Sequence, residues 1–528
     1  MLNEIEIRNF RSIKELSFKP GVMNGLVGPN NVGKSNVLRA INVVLGPKWP
    51  PYAVSPEDKN KDAPNDPLEI TLRFDKPLRK DYYGTPYDVH GLKLRYEAPD
   101  DSDFSCLEDD GTPFEIGPYR NPLRVDNTIR AQLPCLLVEA QRDLAAELRA
   151  GEWTFLGRIL RDIKDELQTQ APFGAEFSRR SSDFSAHLMQ QPVKDLERML
   201  NEEMSAISGF HELQLSFEPP DLLTSLKAVR IHVREAPDLP PSEADELGQG
   251  LQSSLVVALV RAYQRLRHVN PVLLLEEPEA FLHPQARRAF YSLLEKTSKQ
   301  CQIFYSTHAG EFLDITRPEQ IALVRKHRTE GTTIVQGDRT LLSPGEQSEL
   351  KVACEVDEKM REALFSHCAI ACEGDSESAS IPLILRRAGM DPDRAGWTVV
   401  SAGSKTNLPF VIRLYRHFAI PTVAVFDTDS DKGDFATRQK DLNAQIEALV
   451  GGNDRCWIAD PDFEAANAIP IGESKRRGAV RWSRALTEEN AKRIVAPLLK
   501  AVEVATRPSS GRAAVQAPTV VVVNGNGI

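Results

Sequence analysis

The octapeptide Gly28-Pro29-Asn30-Asn31-Val32-Gly33-Lys34-Ser35 constrains this chain more than any other stretch, because it sits between the apolar run Gly25-Leu26-Val27 and a helical pattern from Asn36 to Val44. G-x-x-x-x-G-K-[ST] between a strand and a helix is a phosphate cradle. Its glycines let backbone N–H groups approach an anion at a helix N-terminus. Asn30, Asn31 and Gly33 lie in the loop, Lys34 is placed to reach β- and γ-phosphates, and Ser35 offers a hydroxyl to Mg²⁺. The expected fold is therefore α/β.

A matching second half lies far along the chain, in Pro271-Val272-Leu273-Leu274-Leu275-Glu276-Glu277-Pro278-Glu279. A buried strand there delivers Glu276 towards the nucleotide's metal and Glu277 to orient an attacking water. Two adjacent glutamates at such a strand end are costly without a cation. Ser306-Thr307-His308 closes another apolar strand, where His308 is placed to sense a γ-phosphate, although a lone histidine there is more often structural.

Two acidic clusters follow. Glu373 and Glu377 come directly after the apolar run Cys368-Ala369-Ile370-Ala371-Cys372, and Asp427 and Asp429 end Val423-Ala424-Val425-Phe426, roughly fifty residues on. Strand-like and helical segments alternate from 368 to 427, which favours a parallel sheet with helices on both faces. Strand ends of such a sheet converge at one edge. Four carboxylates gathered there repel one another unless a divalent cation sits among them.

With 528 residues, 41% hydrophobic and 27% charged, the chain is expected to fold as two or three globular domains. It has no apolar stretch of membrane-spanning length and no secretory leader is expected. Seven cysteines without CxxC pairs suggest a reducing, cytoplasmic setting and no zinc site. The net charge of −10 means that any nucleic-acid contact must be a local basic track on an acidic body. Residues 143–205 read as largely helical, Leu213–Phe217 and Ala228–Val233 as hairpin-like strands, and 326–360 as polar and irregular. Segments 251–267 and 484–504 read as helices. The expected division is 1–345, a connector 346–365, a second domain 366–505, and a low-complexity tail 506–528.

The first set of motifs resembles the ATP-binding-cassette ATPases of the SMC, Rad50 and RecF type. That resemblance implies that Gln141 couples nucleotide to the helical part. It also implies that Gly248-Gln249-Gly250-Leu251-Gln252-Ser253 is the signature loop, so that Gly248 and Gly250 complete a partner's site in a dimer. The loop departs from LSGGQ, and Glu276 stands where the wider family has aspartate. The second set, Glu-Gly-x-x-Glu and Asp-x-Asp, resembles the Toprim domain, which holds Mg²⁺ between its acids. Together they resemble the OLD (overcoming lysogenisation defect) nucleases over roughly residues 1–500.

The family resemblance implies a further acid, Glu464 with Asp462 in reserve, and a lysine, Lys475, whose ammonium offsets charge on the phosphate. Lys475 also belongs to a basic cluster that can simply meet phosphates or solvent. The resemblance implies ATP with Mg²⁺ or Mn²⁺ at the ATPase site and two divalent metals (Mg²⁺, Mn²⁺ or Ca²⁺) at the Toprim site. It further implies DNA as substrate, a homodimer or higher homo-oligomer, a role in anti-phage defence and, in some members, a neighbouring helicase. Ser401-Ala402-Gly403-Ser404-Lys405 is either a DNA contact or a plain turn. A topoisomerase or primase and a non-catalytic ATP clamp are the alternatives. A topoisomerase needs a nucleophilic tyrosine, and none occurs beyond residue 430.

Overall fold

The computed structural model describes residues 1–139, 270–431, 436–469 and 474–507 apart from positions 118, 281 and 357. Within 140–269 it describes 148–151, parts of 154–199 and most of 226–267. Gln141, the strand expected at Leu213–Phe217, most of 143–205 and the tail from 508 onward lie outside the described residues. The chain forms two units, residues 1–140 with 269–528, and residues 141–268.

The first unit contains an 11-stranded mixed sheet and a separate four-stranded one. The larger sheet has an antiparallel wing made of β1 (Leu2–Phe10), β2 (Ile13–Phe18), β4 (Leu68–Tyr82), β5 (Thr85–Ala98), β6 (Asp101–Leu107) and β15 (Gly331–Gln336). Its parallel part, in the order β14 (Ile321–His327), β3 (Met23–Val27), β13 (Gln302–Thr307), β12 (Val272–Glu276) and β9 (Cys135–Val138), continues the same sheet. The two parts differ in sequence for a physical reason. In β1, Ile5 and Ile7 are buried between more exposed polar neighbours, the alternation of a sheet with one covered face. β3 and β13 are buried at every position, as strands covered on both faces must be.

Helix α1 (Lys34–Leu45) follows β3 through the glycine-rich loop and buries Val37, Leu38, Ile41 and Val44. The minor ladders β7 (Glu115–Ile116) with β8 (Asn121–Pro122), and β10 (His232–Val233) with β11 (Ser242–Glu243), complete the strands. Among the described residues of the expected hairpin, His232–Val233 is a strand, and it pairs with Ser242–Glu243. Helix α2 (Gln249–Arg267) belongs to the second unit, and α3 (Pro284–Ser298) to the first.

The smaller sheet has the order β17 (Trp397–Ser401), β16 (Cys368–Cys372), β18 (Thr422–Asp427), β19 (Cys456–Ala459), and all its pairings are parallel. Alternate residues feed opposite cores. Ile370, Val423 and Val425 pack with Ile381 and Leu385 of α5 (Asp375–Arg387) and with Val495 and Leu498 of α9 (Glu488–Thr506). Ala369, Ala371 and Phe426 pack with Leu408 and Ile412 of α6 (Leu408–His417) and with Ile446 of α7 (Ala436–Val450). The chain leaves β16 for β17 on one side and then crosses to β18 on the other. The crevice at the carboxyl ends of β16 and β18 is therefore a topological switch point, where open α/β sheets place their sites.

Residues 326–360 are not irregular, contrary to the sequence reading. They complete β14, form the β15 hairpin partner and build helix α4 (Pro344–Val356). Polar residues are frequent there because the hairpin and helix join one sheet to the other. Arg413 of α6 donates to Glu346 at 2.7 Å and to the Leu341 carbonyl at 3.2 Å. Arg325 of β14 donates to the Ala419 carbonyl at 2.7 Å. The helix expected at 484–504 is α9, which starts at Glu488 behind the Thr487 hydroxyl cap, and a separate helix, α8 (Lys475–Ala485), precedes it. Among the described residues no helix is long and apolar enough to cross a membrane.

Candidate functional site

The nucleotide loop is shaped by close approach. A Cβ on Gly28 would overlap the Val324 carbonyl and one on Gly33 the Thr332 hydroxyl, and both glycines have positive φ, 153° and 108°. Lys34 folds over the loop, donating to the Gly28 and Pro29 carbonyls at 2.9 Å each and meeting His308 Nε2 at 2.8 Å. Burial brings its ammonium down to about 8, against the opposing pull of Glu277, Glu279 and Glu276. Burial also lowers His308, and the Lys34 charge adds to it.

Parallel pairing of β12 and β13 sets Glu276 beside Ser306. The Ser35 hydroxyl donates to Glu276. Glu277 has a left-handed φ of 47° and lies 3.3 Å from His308 Nε2. Thus Lys34, Ser35, Glu276, Glu277 and His308, which come from three distant segments, meet at one sheet edge. Glu279, which the sequence reading did not single out, holds that edge together. Its carboxylate accepts from the Thr307 hydroxyl at 2.6 Å and from the His308 amide at 2.8 Å. Asn31 takes a positive φ of 63° and Asn30 is exposed in the same loop. In the second unit, Gly248 is exposed just ahead of α2 and Gly250 lies in that helix's first turn.

The second centre lies at the ends of β16 and β18. Glu373 follows β16 and accepts from the Asp427 amide at 3.2 Å, while Glu377 is buried in the first turn of α5. Asp427 and Asp429 are both buried, and Asp429 has a left-handed φ of 55°. Glu464, in the short helix Phe463–Ala466 after β19, is also buried, and the Lys475 ammonium lies 3.4 Å from it. Asp462 is committed otherwise, since its carboxylate caps that helix by accepting from the Ala465 amide at 2.6 Å.

Electrostatics tie these groups together. Burial, and then the charges of Glu377, Glu373, Asp429 and Asp462, push the Asp427 carboxyl up to about 8. Burial, with Glu373 and Glu464 beside it, pushes Glu377 up to about 7. Burial works against the Lys475 charge, but Glu464, Asp462 and Asp427 outweigh it and raise its pKa. Among the described residues no group of three or more His, Cys, Asp or Glu side chains is gathered in a metal-holding arrangement. The donor set nevertheless fits a hard cation. Asp427 Oδ1 and Glu464 Oε1 are buried oxygens without a hydrogen-bond donor among the described residues, and carboxylate oxygens are what Mg²⁺ and Mn²⁺ take.

At residues 401–405 the structure shows the turn rather than the DNA contact of the two readings left open by the sequence. Lys405 does not face solvent to meet DNA but is buried, donating to Asp429 at 2.8 Å and to the Asp427 carbonyl. The turn after β17 turns inward because Gly403, at φ 77°, allows it and Ser401 caps it by accepting from the Gly403 amide. A lysine after a strand-ending Gly-Ser was the only signal available.

The family model described as "Overcoming lysogenization defect protein-like, TOPRIM domain" matches residues 364–429, and an AAA ATPase domain model matches 1–84. An OLD nuclease from Thermus scotoductus is 30% identical over 547 aligned residues, which cover 98% of each chain. The chain belongs to the OLD nuclease family. The Old nuclease of Escherichia phage P2 is 22% identical, over 89% of this chain and 85% of that one. Endonuclease GajA of Bacillus cereus is also 22% identical, over 76% and 70%. As an OLD-family protein the chain is an ATPase and a nuclease, with an ATPase sheet and a parallel Toprim sheet that use nucleotide and divalent metal.

Proposed function

We propose that this OLD-family protein is an ATP-gated DNA endonuclease that nicks or cleaves duplex DNA with two divalent metals, Mg²⁺, Mn²⁺ or Ca²⁺. The observation that carries the reading is the mutual destabilisation of buried carboxylates at the β16 and β18 ends, with Asp427 Oδ1 lacking a donor among the described residues. Glu373, Glu377, Asp427, Asp429 and Glu464 would hold the cations. Glu464 is preferred to Asp462 because Asp462 is spent on a helix cap. Bound metal supplies a polarised phosphate and an activated water. Lys475 holds a positive charge beside Glu464, where it offsets charge gathering on the scissile phosphate.

At the other sheet, Lys34 and the 28–35 loop would bind the ATP phosphates, Ser35 and Glu276 its Mg²⁺ or Mn²⁺, and Glu277 the attacking water. His308 would read the γ-phosphate, and Gln141 would couple it onward. Gly248 and Gly250 would complete the site of a second copy, which makes the working form a homodimer or larger homo-oligomer. The division of labour runs from an ATPase domain at 1–345 through a connector at 346–365 to a Toprim domain at 366–505. Six described cysteines are free and buried, which supports a cytoplasmic setting. Anti-phage defence, with or without a helicase partner, is the role that family membership favours. A docking clamp has no use for converging negative charge beside phosphate.

Supercoiled plasmid incubated with the full chain and Mg²⁺ or Mn²⁺, with and without ATP, tests the reading. Nicked or linear product is expected, absent with Asp427→Ala and changed in its ATP response with Lys34→Ala. Intact plasmid under every condition, with ATP hydrolysis retained, would favour the clamp.

A further inference from the structure

Helix α8 reads Lys-Arg-Arg-Gly-Ala-Val-Arg-Trp-Ser-Arg-Ala, five cations and no carboxylate, in a chain whose net charge is −10. Ala479 and Ser483 are buried, and the opposite face presents Arg477, Arg481 and Arg484 to solvent at helical spacing, with Arg476 exposed beside them. A solvated helical face ordinarily mixes both signs and pairs its charges. This one does not: among the described residues these four arginines make no side-chain ion pair or hydrogen bond. Neighbouring arginines do, Arg386 with Asp393 at 2.6 Å and Arg413 with Glu346 at 2.7 Å.

The helix is also aimed. Its first residue, Lys475, reaches Glu464, whose charge bears on Glu377 in the first turn of α5. Its last turn is fixed to the end of α5 by Arg387, which donates to the Arg484 carbonyl at 2.8 Å. The two helices therefore run side by side in the same direction, both starting at the acidic strand ends. From Arg477 to Arg484 the stripe spans roughly 10 Å at about 1.5 Å per residue, enough for two or three phosphates of one DNA strand at about 3.4 Å of axis each.

We propose that the Arg477, Arg481 and Arg484 stripe of α8 is a track for the sugar–phosphate backbone of duplex DNA, leading the strand to the acidic centre. The proposal rests on the nuclease reading for the nature of the strand. A cationic track beside the carboxylates offsets their repulsion of an approaching phosphate backbone. Contacts of this kind position the duplex and carry no sequence information.

The test is the salt dependence of duplex binding by the full chain, with EDTA present so that no DNA is cut, for the unsubstituted protein, R477Q/R481Q/R484Q and the single R481Q. Each phosphate contact contributes about 0.9 to the slope of log K against log salt. The triple variant is expected to bind less tightly and to show a slope shallower by about 2–3, and R481Q one shallower by about 0.9. Unchanged thermal midpoint and ATP hydrolysis would show the fold intact. An unchanged slope in R481Q, or no measurable duplex binding by the unsubstituted chain at low salt, would overturn the proposal. Cleavage by Asp427→Ala reports on the metal centre alone, so failure of that reading is separately visible.

Discussion

Lys405 and Asp429 form a buried ion pair, 2.8 Å from ammonium to carboxylate, inside the acidic centre of the Toprim sheet. The same ammonium donates to the Asp427 carbonyl. Lys405 opens the turn that leads into α6, so the lysine ties the acids to the helix that packs against the ATPase side. It acts as a fixed counter-charge that positions Asp429.

Lys405→Met should therefore lower the thermal midpoint of metal-free protein, the loss of one partner of a buried pair costing on the order of 3 kcal/mol. Mn²⁺ should restore more of the midpoint in the variant than it adds to the unsubstituted chain. Thermal unfolding with and without Mn²⁺ measures both, and equal Mn²⁺ shifts would contradict the assignment.

Glu279 positions His308 through its amide and through Thr307. Glu279→Ala leaves those donors without their acceptor, at about 1–3 kcal/mol of stability, and frees the His308 position. Steady-state ATP hydrolysis should show a loss in kcat with KM little changed. Lys34→Ala, by contrast, should raise KM.

β14 links the nucleotide loop to the smaller sheet. The Val324 carbonyl lies against Gly28 of the nucleotide loop, and the next residue, Arg325, holds the Ala419 carbonyl at the turn before β18, the strand that ends at Asp427. Arg325→Met should reduce the factor by which ATP alters plasmid cleavage, about 5-fold to 150-fold for coupled sites, towards one. Cleavage without ATP and ATP hydrolysis should both persist. A full ATP response in the variant would place the coupling elsewhere.

Burial pushes the thiols of Cys106, Cys368 and Cys456 up to about 12. Their folded-state pKa lies above the unfolded value of 9.0, so the stability they contribute is complete below pH 9 and is lost as pH rises towards 12. Native protein at pH 8 should resist alkylation at these positions, which should label only on unfolding. The denaturant midpoint should fall as pH is raised above 9.

The elements around both centres were legible in the sequence for a common reason. β3, β12, β16 and β18 are short apolar runs that end in charge or glycine, and a strand buried on both faces leaves no other reading of Val-Leu-Leu-Leu-Glu. What escaped was set by tertiary contact. Polar residues at 326–360 read as irregular, because Arg413, the partner of Glu346, lies 67 positions along the chain. The role of Lys405 stayed open between a DNA contact and a turn for the same reason, since its counter-ion is 24 positions away. Glu279 was one acid among three, and only the register of β12 against β13 shows which one meets the His308 amide.

That the carboxylates after β16 and β18 hold divalent cations is open to direct measurement. Calorimetric titration of Mn²⁺ into nucleotide-free full chain, beside Asp427→Ala/Asp429→Ala, tests it most directly. Two Mn²⁺ fewer should bind to the variant, with its fold and ATP binding retained. Equal stoichiometry in the two proteins would contradict cation binding there.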